Sequence, residues 1–114
     1  FVEDRRQDLL RMQEELTNDV RVERKEFSEL FQELATKDYE EIAEIEIENE
    51  AVGLLDLQER ERLRRVASAL HRIETGTYGV CESCGGPIHE GRLEAEPDAL
   101  LCIRCKRRRE EERQ

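Results

Sequence analysis

The chain has 114 residues, of which 42% are charged and 37% hydrophobic, with no tryptophan and a formal net charge of −10. This length allows one compact domain or a small module with an extension, and the composition argues against a single thick apolar core. No apolar run approaches the ~20 residues of a membrane span, and no signal peptide is visible. We therefore expect a cytoplasmic protein with no membrane partner.

The first predicted element is a long helix that covers residues 1–34. Its apolar residues recur mostly three, four or seven positions apart among Glu, Arg and Gln, which is the spacing of one helix face. These residues are Leu9, Met12, Leu16, Val20, Phe27, Phe31 and Leu34.

The second predicted element is a helix from Glu41 to Thr75 with a two-position heptad seam. The seam consists of Ile42, Ile45, Val52, Leu63, Val66, Leu70 and Ile73. Asn49, Asp56 and Glu59 also fall on the seam, so we expect the middle of this helix to pack poorly or bend. The alternation Glu-Ile-Glu-Ile-Glu is typical of a strand, but it is short and lies among helix formers.

The two helices should pair, because neither can bury its narrow apolar stripe alone. The short linker at 35–38 favours an antiparallel hairpin, and about 34 residues at ~1.5 Å each make an arm roughly 50 Å long. The predicted facing pairs are Leu9 with Val66, Met12 with Leu63, and Leu34 with Ile42. The acidic stretch near 36–43 would then be the far tip of the arm.

That tip is strongly acidic, with nine carboxylates and no base between Asp38 and Glu59. Such a surface is repelled by nucleic acid and attracted to a basic channel or a magnesium-bearing site. Asp38 followed by Glu41 is also a capping box, in which the side chains satisfy the free N–H groups of a starting helix. Both interpretations of this pair remain open from the residues alone.

A different module follows Gly76, which is a favourable residue for ending a helix. Two Cys-x-x-Cys pairs are separated by seventeen residues, a spacing that predicts a four-thiolate zinc site. The ligands would be Cys81, Cys84, Cys102 and Cys105. The alternatives are disulfides or a redox pair, which the missing secretion signal and the matched pairs disfavour. We divide the chain into a coiled-coil hairpin at 1–75 and a zinc module with a basic C-terminal helix at 76–114.

The zinc site is expected to be structural, because four cysteines leave no position open for a water molecule. The Pro that precedes the Cys-x-x-Cys of zinc deaminases is absent. His89-Glu90 lacks the second histidine of a metalloprotease helix. His71 and His89 are expected to be ordinary polar residues, and no enzymatic activity is predicted.

The zinc module resembles the DksA/TraR C4-type zinc-finger proteins, which are bacterial transcription regulators that bind RNA polymerase. The resemblance rests on GTYGVCESCGGPI and RLEAEPDALLCIRC, with a helix and an acidic hairpin before them. The tip signature of the DksA branch is Asp-x-x-Asp-x-Ala. Asp38, Glu41 and Ala43 match it, with Glu in place of the second Asp.

The resemblance implies a mainly helical fold and a hairpin that enters the secondary channel of RNA polymerase and modulates initiation with its tip. The base of the hairpin is basic and would contact the polymerase, although its helix arginines could equally pair with Glu residues three or four positions away. The basic residues are Arg60, Arg62, Arg64, Arg65, Arg104, Lys106, Arg107, Arg108 and Arg109. We expect a monomer with no sequence-specific DNA binding.

Some members of this family bind guanosine tetraphosphate together with the polymerase. The basic residues used would correspond to Arg65, position 96 and Lys106. Position 96 is Glu here, and an acid should repel a phosphate, so we expect a weak response to this nucleotide. Longer members also carry an N-terminal segment before the coiled coil, whereas this sequence begins where the coiled coil begins.

Two other classes of function remain open. One is a transcript-cleavage accessory in the manner of the Gre factors, in which Asp38 and Glu41 would help to hold magnesium, although Gre factors lack this zinc module. The other is a zinc-ribbon adaptor that uses its basic tail on nucleic acid or protein.

Overall fold

A computed structural model describes residues 1–19, 24–38, 40–42, 44, 53 and 55–112. Its named helices are α1 (Val2–Asp19), α2 (Arg24–Leu34), α3 (Leu57–Thr75), α4 (Glu90–Ala95) and α5 (Ile103–Glu112). In this part of the chain the β structure is limited to one isolated antiparallel bridge between Val80 and Pro87. The predicted mainly helical class is confirmed. None of the helices formed by these residues is long and apolar enough to cross a membrane.

Helices α1 and α3 run in opposite directions along each other. Arg6 near the start of α1 pairs with Glu74 near the end of α3 at 3.8 Å, and Arg62 near the start of α3 pairs with Glu15 at 3.0 Å. The predicted partners Leu9 and Val66 are both fully buried in the core. The two apolar stripes therefore meet in the antiparallel arrangement that their spacing predicted.

Helix α2 folds back onto this pair, in contrast to the extended arm expected from the sequence. It packs against both α1 and α3, and Phe31, Leu34 and Ile42 have no exposed surface. The described residues extend 38 Å along their longest principal axis, which is shorter than the arm of about 50 Å expected for a continuous helix from Glu41 to Thr75. A third helix covers apolar surface that two helices alone leave in water, which is the physical reason for the compact arrangement.

The second predicted helix does not continue from Glu41 to Thr75, because α3 begins at Leu57. Asp56 is its N-cap, with an extended backbone (φ −76°, ψ 175°). The Asp56 carboxylate accepts from the Glu59 N–H at 2.8 Å, and the Glu59 carboxylate accepts from the Asp56 N–H at 3.0 Å. Asp56 and Glu59, which were expected to disturb packing on the heptad seam, thus form a complete capping box. Some residues of the predicted stripes and seam lie outside the described residues, namely Val20, Ile45, Asn49, Val52 and the side chain of Phe27.

Helix α3 ends as predicted at Gly76, which has a left-handed backbone (φ 76°) and donates to the last carbonyls of the helix. A second buried cluster follows, made of Cys81, Ile88, Leu93, Ala99 and Cys105. Tyr78 packs against this cluster and against the helical core, and its hydroxyl donates to the Pro97 carbonyl at 2.8 Å. Burial raises the pKa of Tyr78 to about 12. The helical part and the cysteine module therefore share a packed contact.

Candidate zinc centre and charged surfaces

The first Cys-x-x-Cys pair lies in a tight loop closed by the bridge between Val80 and Pro87. The Cys81 N–H donates to the Gly86 carbonyl at 2.7 Å, and the Gly85 N–H donates to the Cys81 carbonyl at 3.0 Å. Gly85 has φ +73°, a conformation that a residue with a side chain rarely adopts. The turn brings the Gly86 N–H within 3.4 Å of the Cys84 sulfur, so backbone geometry aims both sulfurs to one side.

The second pair lies at the start of α5. Cys102 precedes the helix and Cys105 is in its first turn, where the Lys106 N–H donates to the Cys102 carbonyl at 2.9 Å. The two halves of the site are joined by the Glu82 N–H, which donates to the Leu100 carbonyl at 2.8 Å. Loop and helix are thereby held at a fixed separation.

The four cysteine sulfurs converge, and all lie within 4.8 Å of one another. The Cys84 and Cys102 sulfurs are 3.9 Å apart. A tetrahedral zinc with Zn–S bonds of about 2.3 Å requires sulfurs separated by about 3.8 Å. The arrangement thus fits one structural zinc ion held by Cys81, Cys84, Cys102 and Cys105.

The ionisation of these thiols supports a cation at their centre. Burial opposes ionisation of Cys81, but backbone N–H groups of Cys102, Cys84 and Ser83 outweigh it and lower its pKa to about 6. The Cys105 N–H lowers the pKa of Cys102 as well. The pKa of Cys105 is raised to about 12, chiefly through its hydrogen bond with Cys102. The sulfurs are too close for all four thiols to ionise without a cation. A divalent cation bound between them would neutralise the charge of the thiolates.

The residues of the acidic signature lie at the start of a helical segment. The Asp38 carboxylate accepts from the Glu41 N–H at 2.8 Å, and this bond is the main reason why the pKa of Asp38 is lowered. The Ile42 N–H also donates to the Asp38 carbonyl at 3.0 Å. Asp38 is therefore a helix cap, while its carboxylate and that of Glu41 remain exposed. Ala43 lies outside the described residues.

Comparisons with known proteins agree with this geometry. Residues 76–111 match the prokaryotic dksA/traR C4-type zinc finger. The RNA polymerase-binding transcription factor DksA of Caulobacter vibrioides (strain NA1000 / CB15N) is 36% identical over 109 residues, which are 92% of this chain and 72% of the relative. The chain belongs to the DksA/TraR family.

Other proteins are similar to this chain over different lengths. Transcription factor DksA2 from Pseudomonas aeruginosa is 33% identical with a TM-score of 0.61, covering 99% of this chain and 86% of that chain. Escherichia coli (strain K12) DksA is 45% identical over 49 residues, 43% of this chain and 32% of the relative. An uncharacterized Aquifex aeolicus protein is 41% identical over 69 residues, 60% of this chain and 48% of the relative. This chain therefore aligns with less than half of the last two proteins.

The acidic tip near 36–43 stays a prediction, because residues 39, 43 and 45–52 lie outside the described residues. Asp38 and Glu40 line a cleft together with His71, Arg72 and Thr75 of α3. The same cleft reaches Thr77, Val80, Cys81 and Glu82 of the zinc module. Asp38 and Glu40 of this DksA/TraR protein thus lie on a cleft that is shared with the zinc module.

The predicted nucleotide-binding bases lie in one cleft, together with acids that neutralise them. Arg65 pairs with Asp98 at 3.0 Å and with Glu61 at 3.5 Å. Lys106 pairs with Glu96 at 3.9 Å, and Glu96 also pairs with Arg92 at 3.5 Å. Arg65 and Lys106 of this cleft thus each have acidic partners, and Glu96 lies between two bases.

The structural roles of Asp98 and His89 were not predicted from the sequence. Asp98 is nearly buried yet charged, and its partner Arg65 is 33 positions away, so no local pattern marks it. His89 is the N-cap of α4, and its Nδ1 accepts from the Gly91 N–H at 3.0 Å. The prediction that arginines of the second helix could pair with nearby Glu is confirmed for Arg64 and Arg65, which both contact Glu61.

Proposed function

We propose that this protein is a transcription regulator that binds RNA polymerase through the secondary channel and modulates initiation with its acidic segment. The observation that carries the proposal is the 36% identity over 92% of the chain to a protein named as an RNA polymerase-binding transcription factor. The proposed site of action is the cytoplasm, the protein acts as a monomer, and it has no enzymatic activity of its own.

The zinc ion has a structural role in this proposal. Four thiolates complete its coordination, so bound zinc offers no open position for a water molecule or a substrate. It joins the loop at 81–84 to the first turn of α5, which fixes the basic surface of α5 relative to α3. That surface is the base of the polymerase-binding element.

The working groups are the carboxylates of Asp38 and Glu41. Both are exposed, and the nearby Glu40 and Glu44 are exposed as well. An acidic surface of this kind is attracted to a basic channel, and exposed carboxylates are suitable ligands for a magnesium ion that already has other ligands. Their charge changes the electrostatic field around the polymerase catalytic centre, where promoter complexes are sensitive to it.

The test is a double variant, Asp38→Asn with Glu41→Gln, which keeps side-chain size and removes both charges. Asn remains a good helix cap, so stability should fall by ~1 kcal/mol or less. Retention on immobilised core polymerase should largely survive, while regulation of initiation in vitro should fall sharply. Glu33→Gln, an exposed acid of α2 outside the signature, is the matched control and should leave both unchanged.

Three outcomes would contradict parts of the proposal. No retention of the wild type on core polymerase would refute the proposed partner. A parallel loss of affinity and regulation in the double variant would make the acids a binding element only. Release of short transcripts from stalled complexes would instead support a cleavage accessory.

A further inference from the structure

We infer that Arg72 and Arg92 are positioning residues of the zinc centre. Each fixes the peptide that leads into one Cys-x-x-Cys pair, and together they determine how firmly the module retains its metal. Neither arginine lies within a cysteine pair, because Arg72 is in the last turn of α3 and Arg92 is in α4. The inference goes beyond the proposed function, since it concerns the isolated chain and does not depend on polymerase binding.

The first contact holds the peptide between Val80 and Cys81. The Arg72 guanidinium donates from Nη1 to the Val80 carbonyl at 2.6 Å. The backbone carbonyl of Arg72 also accepts from the Thr77 N–H at 2.8 Å, so this one residue binds both ends of the segment between α3 and the first cysteine pair. On the other side of the held peptide, the Cys81 N–H donates to the Gly86 carbonyl at 2.7 Å. Arg72 therefore attaches the loop of the first cysteine pair to the end of α3.

The second contact holds the peptide between Leu101 and Cys102. The Arg92 Nε donates to the Leu101 carbonyl at 3.1 Å. The N–H of the same peptide belongs to Cys102 and forms a hydrogen bond with the sulfur of Cys81. The Arg92 Nη1 pairs with Glu96 at 3.5 Å, so the guanidinium is held from two sides. Arg92 therefore acts on a bond that joins the second cysteine pair to the first.

The two contacts have the same arrangement. Each arginine reaches from a helix to the carbonyl group immediately before the first cysteine of a pair, eight positions along the chain for Arg72 and nine for Arg92. Arg72 lines a cleft together with Cys81, and Arg92 lines another together with Cys102. Each positive charge thus lies beside the cysteine pair whose backbone it holds.

Two physical effects link these contacts to metal retention. A guanidinium bound to a carbonyl polarises the peptide and strengthens the bond that its N–H donates on the other side, because hydrogen bonds in a chain reinforce one another. A zinc ion with four thiolate ligands also keeps net negative charge, which nearby cations offset. Replacing outer groups that orient metal ligands typically lowers metal affinity by about 10- to 100-fold. The two arginines should therefore affect zinc affinity although neither is a ligand.

The first measurement is zinc affinity in competition with a chromogenic chelator, for variants that remove the donor and variants that restore it. Arg92→Met keeps the apolar stem without donor or charge, whereas Arg92→Gln places an uncharged amide N–H near the position of Nε. Arg72 donates from Nη1, farther along its side chain, so its pair is Arg72→Met and Arg72→Lys. Both Met variants should lose zinc affinity about tenfold, and Arg92→Gln and Arg72→Lys should recover most of it.

The second measurement is specific for the two hydrogen bonds. An amide proton moves upfield in nuclear magnetic resonance spectra when its hydrogen bond weakens. In the zinc-loaded chain, Arg92→Met should move the Cys102 amide proton upfield and leave that of Cys81 nearly unchanged, and Arg72→Met should do the reverse. A general loss of stability does not produce this crossed pattern. Unchanged shifts of both amide protons would overturn the inference, whatever the zinc affinity.

The conservative variants decide the matter if a Met variant does not fold. Bound zinc and wild-type amide shifts in Arg92→Gln and Arg72→Lys would then support the contacts. Loss of zinc from these two variants as well would overturn them, because both retain a donor to the carbonyl.

Arg104→Met is the matched control for charge. Arg104 is exposed between Cys102 and Cys105, so this variant removes a positive charge beside the ligands and should leave zinc affinity unchanged. An equal loss of affinity from Arg104→Met would show that positive charge alone is responsible, and would overturn the positioning role. A chain in which the Met variants lose zinc as expected, but whose wild type is not retained on polymerase, keeps this inference and loses the proposed function.

Discussion

Single residues around the cysteines decide whether the C-terminal module has a fixed shape. The cluster of Cys81, Ile88, Leu93, Ala99 and Cys105 contains few apolar side chains, and such a small core cannot offset the entropy of ordering the loops. Zinc binding supplies on the order of 10 kcal/mol in modules of this type. The metal is therefore the main source of stability in this part of the chain.

Replacing Cys84 by Ser should remove zinc and unfold residues 77–106, while α1 and the first part of α3 remain helical. The expected result is loss of about one equivalent of zinc by metal analysis, with most of the helical circular dichroism retained. Glu82→Gln removes a charge from the exposed neighbour of Cys81 and should keep the metal. A Cys84→Ser protein with unchanged amide dispersion throughout the module would contradict a structural zinc.

Glu96 determines the charge of the cleft between α3 and α5. It pairs with both Arg92 and Lys106, so a phosphate group would have to displace a carboxylate that is already bound. We predict that guanosine tetraphosphate adds little to the effect of this protein on polymerase, and that Glu96→Arg increases the synergy. In-vitro transcription with and without the nucleotide measures this.

The control for Glu96→Arg is Glu94→Arg, which makes the same charge change at an exposed position of α4 that does not line the cleft. An equal gain from both variants would show that net charge, and not the cleft, is responsible. A strong response of the wild type would show that Arg65 and Lys106 suffice for nucleotide binding.

At the scale of elements, the start of α3 is fixed by local hydrogen bonds. Asp56 and Glu59 form a complete capping box, and Arg60 adds bonds to the Leu55 carbonyl at 3.0 Å and the Gly53 carbonyl at 3.3 Å. These bonds satisfy backbone groups that a helix end otherwise leaves without partners. The chain is therefore directed to start a new helix here.

Asp56→Ala should lower the free energy of unfolding by about 1 kcal/mol, because the cap to the Glu59 N–H is lost. Urea denaturation followed by circular dichroism measures the change. Asp56→Asn keeps the cap and should cost less. If Asn and Ala are equally destabilising, the interaction is with the helix dipole and not a hydrogen-bonded cap; if neither has an effect, the box is not stabilising.

At the scale of the whole molecule, Tyr78 connects the helical core to the zinc module. Its ring packs against both clusters and its hydroxyl bonds the Pro97 carbonyl. Arg65 and Asp98 form a second connection between α3 and the loop before Cys102. The two parts should therefore unfold with partial cooperativity, even though metal stabilises only one of them.

Tyr78 also gives the fold a dependence on alkaline pH. Its pKa is raised to about 12 in the folded protein, whereas an unfolded tyrosine ionises near pH ~10. The unfolded chain loses the proton first, so stability should fall as pH rises from about 10 to about 12. Titration of tyrosinate absorbance in a Tyr39→Phe background isolates Tyr78. A titration midpoint near pH ~10 would contradict the burial of Tyr78. Tyr78→Phe should remove this part of the pH dependence and lower the free energy of unfolding by about 1 kcal/mol, because the hydrogen bond of the hydroxyl is lost.

Features that depend on neighbours along the chain could be predicted from the sequence. The Cys-x-x-Cys pairs and the glycine after Cys84 predict the zinc knuckles, because each knuckle closes within a few residues. Gly76 predicts the end of α3 because a left-handed cap is a local requirement. The heptad spacing predicts that Leu9 and Val66 are buried. The capping box of Asp56 and Glu59 is also local. It was not predicted, because both residues were interpreted as polar positions of the heptad seam.

The positions of these elements relative to one another could not be predicted from local sequence patterns. Periodicity shows that Phe31, Leu34 and Ile42 must be covered, but an extended hairpin and a folded-back helix satisfy the same pattern. The pairing of Arg65 with Asp98 and the approach of Asp38 to His71 each join positions about 33 residues apart. Such contacts depend on the balance between burying apolar surface and ordering the chain, and that balance is a property of the whole molecule and not of any local segment.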